Sequence, residues 1–292
     1  MQKLTVPHLQ RCYIGLTQWQ HSAWHETVLA RGKKQHILNA YTRHFSSVEG
    51  NSTFYGLPKV ETIEQWRTES SEQFKFCFKF PQSITHQQQL RHCETETTEF
   101  LHRLTPLIDK LGLLCIQLPE RFDHNALPDL SLFLESLPSA FEYTVEIRNL
   151  CFFDKADTEK AFNQLLLKHN VNRSTFDTRA LFADPASDPI SLKAKSHKPQ
   201  LPVHAIATGN SPMVRFISAQ KWTDSTCYLE PWINKAIRWM DEGKTPYFFF
   251  HTPDNAEAPE LANYFVNLLE QHRPDCCLFS PWQQPKSQST LF

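Results

Sequence analysis

Short apolar runs rich in β-branched and aromatic residues recur about every thirty residues along the chain. They are CYIGLTQW (12–19), FSSVEGN (45–51), FKFCFKFP (74–81), LGLLCIQLP (111–119), YTVEIRN (143–149), VNRSTFD (171–177), MVRFISA (213–219) and PYFFFHT (246–252). Several are almost unbroken in hydrophobicity, as expected of parallel strands buried on both faces. Between them the period changes to that of a helix. Ile37, Leu38 and Tyr41 form one stripe, Ile63 and Trp66 a second, and Phe100, Leu104, Leu107, Ile108 and Leu111 a third that Pro106 should break. Further stripes are Leu130/Phe133/Leu134/Leu137, Phe162/Leu165/Leu166, Trp232/Ile233/Ala236/Ile237/Met240 and Leu261/Phe265/Leu268/Leu269. Eight strands alternating with helices predict an α/β chain folded as a (β/α)₈ TIM-like barrel.

One unit breaks the rhythm. Between the sixth and seventh strands, from Leu181 to Pro212, five prolines accompany many Ser and Ala, and no helical stripe is visible. The same stretch carries the basic cluster Lys193, Lys195, His197 and Lys198. An irregular long loop inside a compact domain is usually functional or disordered, so this one is a lid or binding-loop candidate. Residues 1–282 read as a single barrel domain, and the final QQPKSQSTLF (283–292) reads as a frayed tail.

Composition narrows the function classes. Thirty basic and thirty-one acidic residues leave a net charge of -1, which argues against a chain built for bulk nucleic-acid binding. Seven glycines give little material for phosphate loops, and the GKT at Gly243–Thr245 precedes a strand instead of following one. Eight cysteines without a CxxC spacing exclude a zinc ribbon, and Cys77, Cys115 and Cys151, in or beside strand-like runs, read as small hydrophobes. HSAWH lacks the HExxH pattern of a zinc helix, so His21 and His25 read as surface groups. With no signal-like N-terminus and no apolar run of about 18 residues, the chain reads as soluble and cytoplasmic, with no membrane partner. The pattern specifies no oligomeric state.

In such a barrel the chemistry belongs at the C-terminal ends of the strands. Those ends are polar here: Thr17, Gln18 and Trp19; Glu49, Asn51, Thr53 and Tyr55; Lys79 and His86; Gln117; Glu146 and Arg148; Asp177 and Arg179; Arg215; His251 and Asn255. Residues two apart on a strand share a face, so Glu49 points with Asn51 and Glu146 with Arg148. The alternative for Glu146 and Arg148 is a structural ion pair inside the barrel. Lys79, Arg148 and Arg215 suit an anionic or polyhydroxylated small molecule, while Glu49 and Glu146, assisted by His86, are acid/base candidates. Trp19, Asn51, Tyr55 and Gln117 complete the candidate binding set. No cofactor is assigned.

Several of these motifs also carry a resemblance. GLTQW, Glu49-x-Asn51-Ser52-Thr53-Phe54-Tyr55, FKFCFKFPQSITH with Lys79, Thr85 and His86, Gln117-Leu118-Pro119, Val145-Glu146-x-Arg148 and FFFHTPDN occur in an order that resembles the DUF72 family, also called YecE-like or UPF0759 proteins. The resemblance implies a TIM barrel and assigns no activity. Its polar cluster maps onto Trp19, Glu49, Asn51, Tyr55, Lys79, His86, Gln117, Glu146 and Arg148. The chain departs from the pattern at Thr17-Gln18, at Arg215-Phe216-Ile217-Ser218 where the family has Arg-x-His-Gly, and at His251-Thr252.

Three readings of function fit these residues. The first is an enzyme acting on an anionic or polyhydroxylated small molecule. The second is a metal-dependent nucleic-acid phosphodiesterase or DNA-binding protein, with Glu49, Glu146, Asp177 and His251 around a divalent metal and the Lys193–Lys198 cluster on the backbone. The third is a non-catalytic scaffold that docks a partner through the loop at 181–212.

Overall fold

A computed structural model describes residues 12–25, 28–29, 36–274 and 276; the 283–292 tail lies outside them. Its strands are β1 (Tyr13–Leu16), β2 (Ser47–Gly50), β3 (Lys75–Lys79), β4 (Leu111–Gln117), β5 (Glu142–Glu146), β6 (Asn172–Asp177), β7 (Met213–Ile217) and β8 (Tyr247–His251). All neighbours pair in parallel, and β1 pairs with β8 to close the barrel in chain order. The helices are α1 (Ile37–Tyr41), α2 (Ser52–Tyr55), α3 (Val60–Glu69), α4 (Glu94–Leu104), α5 (Leu127–Ser136), α6 (Asp157–Lys168), α7 (Arg179–Ala183), α8 (Pro189–His197), α9 (Thr226–Asp241) and α10 (Ala258–His272). Pro106 acts as expected: α4 stops at Leu104 and a 3₁₀ turn, Thr105–Lys110, leads into β4.

The unbroken apolar runs have a simple cause. Alternate residues of each strand serve two cores. Phe76 and Phe78, Leu114 and Ile116, Phe248 and Phe250 face outward to the helices in the large core. Tyr13, Cys77, Leu113, Met213, Tyr247 and Phe249 fill the bottom of the barrel as a separate cluster.

β1 and β2 share only two register pairs, Gly15 with Ser47 and Leu16 with Val48. Side chains complete the seam: the Leu16 amide donates to Tyr41 Oη at 2.8 Å, Tyr41 Oη donates to the Ser47 carbonyl at 2.9 Å, and the Ile14 amide donates to Ser46 Oγ at 2.9 Å. Close approach is possible because residue 15 is glycine; a Cβ there would lie 2.1 Å from the Ser47 carbonyl oxygen. Gly15→Ala is therefore expected to cost about 3 kcal/mol through forced separation of the two strands, measured by urea unfolding.

The β6–β7 connection is irregular but holds two short helices, α7 and α8. No stripe signals α8 because its buried face is Ser191 and Ala194, while Ile190 and Leu192 are exposed. Asp188 caps it by accepting from the Ile190 and Ser191 amides, with Pro189 in the first turn. The run that follows is pinned at three points. Thr178 Oγ1 donates to the Pro199 carbonyl, Thr208 Oγ1 donates to the Val171 carbonyl, and His204 Nδ1 meets Glu159 Oε1 at 2.6 Å.

Candidate functional site

The inward positions at the strand ends converge on a cavity of about 470 Å³ at the barrel mouth. Trp19, Glu49, Asn51, Tyr55, Lys79, Arg148 and Arg215 line it, as do His197, Lys198, His251 and Asn255. β2 brings Glu49 inward, and the turn after it brings Asn51, whose Nδ2 donates to the Thr17 carbonyl at 3.0 Å. Thr53 Oγ1 donates to the Lys79 carbonyl at 2.7 Å, so α2 is tied to the end of β3. Trp19 packs edge-on against Trp66 with ring centroids 5.5 Å apart. Tyr55, 76% exposed, stands at the rim.

The floor of the cavity is a charge network. Arg215 donates Nε to Glu49 Oε2 at 2.6 Å and Nη2 to Glu49 Oε1 at 2.5 Å, and its Nη1 pairs with Glu146 Oε2. Arg148 Nε donates to Glu146 Oε1 at 2.8 Å. Lys79 Nζ donates to Gln117 Oε1 at 2.8 Å and lies 3.5 Å from Glu49 Oε1. Glu49, Glu146 and Arg215 are each at most 2% exposed. Two carboxylates thus face three cations, and Lys198 adds a fourth.

Burial and mutual repulsion set the protonation states. Burial pushes Glu49 up, but Arg215 and Lys79 outweigh it and hold the carboxyl below its ordinary value. Lys79 is pushed down to about 8, by burial and then by the Arg215 charge, with Glu49 opposing. Lys198 is lowered by burial and by Lys79. His86 falls to about 4 through burial and the charges of Arg148, Arg121 and Lys79. His251 lies well below its ordinary value through burial and the charges of Lys198, Arg215 and Lys79. Both histidines are neutral at pH 7.

Three expected site residues do not line the cavity. Gln117 sits behind Lys79 as its acceptor, and Glu146 lies beneath Arg148 and Arg215. His86 belongs to a single π-helical turn, Ser83–Gln87, where Nδ1 meets Thr85 Oγ1 at 2.9 Å and the ring packs edge-on against Phe54. Arg215 lines the cavity, yet both carboxylates claim its donors, so it is no open clamp for an incoming anion. Glu146 and Arg148 form the alternative ion pair, and Arg148 also faces the cavity.

The four-residue metal set is not assembled. Asp177 points outward from β6, accepting from Trp232 Nε1 at 2.8 Å and from Arg179 Nη2 at 2.8 Å. Among the described residues, no group of three or more His, Cys, Asp or Glu is placed to hold a metal ion. The basic cluster is also divided. Lys195 Nζ is spent on the Asp184 and Ala186 carbonyls, whereas Lys198 turns into the mouth.

Three polar atoms at this cavity stand out. His251 Nε2 and Asn255 Oδ1 are buried and have no hydrogen-bond partner among the described residues. The Lys198 ammonium likewise has no hydrogen bond or ion pair with any described side chain or carbonyl, and it lines the same space. Thr17 Oγ1 lies 3.4 Å from His251 Nδ1, at the limit of a hydrogen bond. With Thr17 donating there, Nε2 carries the ring hydrogen as an unused donor. Sequence reasoning put His251 and Asn255 at a strand end but kept them out of the binding set. For Lys198 the only signal was the basic cluster in the loop.

Comparison with known proteins places this geometry in context. Residues 13–288 match a family model described as a protein of unknown function, DUF72. UPF0759 protein YecE of Escherichia coli K12 is 41% identical over 263 residues, covering 90% of this chain and 94% of that protein. Crystal structures of DUF72 family proteins from Enterococcus faecalis V583 and Thermotoga maritima MSB8 align with TM-scores of 0.67 and 0.66 at 19% and 21% identity. Each alignment covers 89% of this chain, with 98% and 99% of the respective partner. At those identities the crystal structures establish the fold. No helix among the described residues is long and apolar enough to cross a membrane.

Proposed function

The chain belongs to the DUF72 family, and from that premise we propose that its barrel mouth binds a small anionic molecule that also carries hydroxyl groups. One observation carries the reading: Lys198, His251 and Asn255 line one cavity, the first with no hydrogen bond or ion pair from its ammonium among the described residues and the other two each with a buried polar atom, Nε2 and Oδ1, that lacks a partner. A buried polar group left unpaired costs about 1–3 kcal/mol, so two of them, His251 Nε2 and Asn255 Oδ1, beside the part-exposed Lys198 ammonium are best explained by a ligand that satisfies them. The two donors match anion oxygens, and the amide oxygen matches a hydroxyl. Trp19 and Tyr55 at the rim suit the apolar face of a sugar.

Glu49 and Glu146 take a different part from acid/base catalysis in this reading. Their oxygens are committed to Arg215, Arg148 and Lys79, so they neutralise part of the cationic floor and hold it in place. The surplus positive charge is what an anion meets.

Titration calorimetry with inorganic phosphate tests the proposal. Lys198→Met is expected to weaken phosphate binding roughly tenfold to a hundredfold, the loss of one charge-assisted hydrogen bond of about 1.5–3 kcal/mol. Thermal stability should hardly change, because that ammonium has no partner to lose. Absence of binding, or equal affinity in Lys198→Met, would remove the basis of the reading. Sulfate, whose charge is constant over the range, should bind more weakly as pH rises through about 8, where Lys79 loses its proton.

A further inference from the structure

Resting on that reading, we propose that Lys79 is an imine-forming lysine that condenses with an aldehyde or ketone bearing a carboxylate or phosphate. Lys79 Nζ has two partners. Gln117 Oε1 at 2.8 Å and Glu49 Oε1 at 3.5 Å are both acceptors, and no donor reaches the nitrogen among the described residues. A neutral amine in that setting commits its two N–H bonds to them and keeps its lone pair in the third position. Lys79 lines the cavity, which is the side left open.

Burial, with the neighbouring cations and against the pull of Glu49, brings the neutral amine within reach near neutral pH. Arg215, Arg148 and Lys198 each repel a charge on Nζ, and desolvation acts in the same direction. A lysine beside other cations is the established way for a protein to make an amine nucleophilic near neutral pH. With its pKa at about 8, roughly a quarter of the Lys79 side chains are neutral at pH 7.5, against about one in a thousand for an ordinary exposed lysine.

The condensation balances without a cofactor. The Nζ lone pair bonds to the carbonyl carbon, the π pair moves to oxygen, and a proton passes from nitrogen to that oxygen to give the carbinolamine. The hydroxyl then leaves as water after taking a proton, the nitrogen lone pair closes the C=N bond as a protonated imine, and loss of its remaining N–H proton returns the one that was taken up. Amine and carbonyl become imine and water, with no change of oxidation state. His251, whose neutral ring is able to relay a proton, lines the same cavity, and Lys198 is placed to hold the anionic end of the substrate.

The test uses the wild-type chain, glyoxylate as a small anionic aldehyde, and cyanoborohydride to reduce any imine to a stable carboxymethyl-lysine. Peptide mass spectrometry reads the rate at each lysine. At pH 7.5, Lys79 is expected to be modified at least about tenfold faster than the exposed Lys160 and Lys221, whose side chains are 68% and 74% accessible, and inorganic phosphate should protect it. Modification of Lys79 no faster than these two overturns the proposal, as does preferential labelling of Lys198. The two readings fail separately. Phosphate binding with an unreactive Lys79 removes the imine chemistry alone, whereas a fast Lys79 with no phosphate binding or protection keeps it and removes the anion site.

Discussion

Arg215→Met is expected to lower the unfolding free energy by about 3–5 kcal/mol, the usual cost of removing one partner from a buried ion pair. Arg215 is 2% exposed and serves Glu49 through two donors and Glu146 through a third. Methionine fills a comparable volume but leaves two carboxylates inside the barrel with only Lys79 and Arg148 to answer them. Arg215→Lys should lie between the wild type and the methionine variant. It keeps the charge but not the planar fork that meets both oxygens of Glu49. The midpoint and slope of urea unfolding separate these cases, and a loss below about 1 kcal/mol in Arg215→Met would show that the network contributes little. The contrast with Lys198→Met is informative, since Arg215 is held by two carboxylates and the Lys198 ammonium has no hydrogen bond or ion pair among the described residues.

That division was only half legible in the sequence. Strand positions could be read because both strand faces are buried, which gives long apolar runs at a regular interval. The alternation then identified the polar ends, and Trp19, Glu49, Asn51, Tyr55, Lys79, Arg148 and Arg215 do line one cavity. Partnership was not readable. Glu49 and Arg215 are 166 residues apart, and nothing local in either strand announces that they meet. Asp177 lies at a strand end like the others but one position out of phase with Phe176, which faces the mouth, so its carboxylate goes to Trp232 behind the barrel.

The β6–β7 segment was harder for a different reason. A helix is recognised by its apolar face, and α8 buries Ser191 and Ala194. Its role at the site comes down to where the chain leaves it: the Lys198 amide donates to the Ala194 carbonyl, and the side chain is delivered to the mouth as the helix ends. A basic cluster signals charge, but only the end of the helix decides which lysine faces inward.

The second large effect expected is loss of stability in mild acid, traceable to His86. Its pKa of about 4 in the folded chain compares with about 6.5 when unfolded. The unfolded chain therefore binds more protons between these values, and stability fully present above pH 6.5 is lost as pH falls towards 4. By linkage the full shift would correspond to about 2 kcal/mol lost at pH 5 relative to pH 7.5, and solvent screening of this half-exposed ring brings the expected loss to about 1 kcal/mol. His251 and His44, both lowered first by burial, act in the same direction. The depressed carboxylates Glu49, Asp109 and Glu159 have the opposite dependence on burial and partners, and their contribution is lost only below their unfolded values of 4.5, 3.8 and 4.5. Glu260 and Glu270, raised by burial, oppose the histidines over the same range. Comparing His86→Gln with the wild type cancels these other groups, because glutamine keeps a polar partner for Thr85 but does not titrate. Urea unfolding at pH 7.5 and pH 5 should show the wild type losing about 1 kcal/mol more than the variant. An equal loss in both would mean that His86 shares its cationic neighbourhood with enough water to be protonated at little cost.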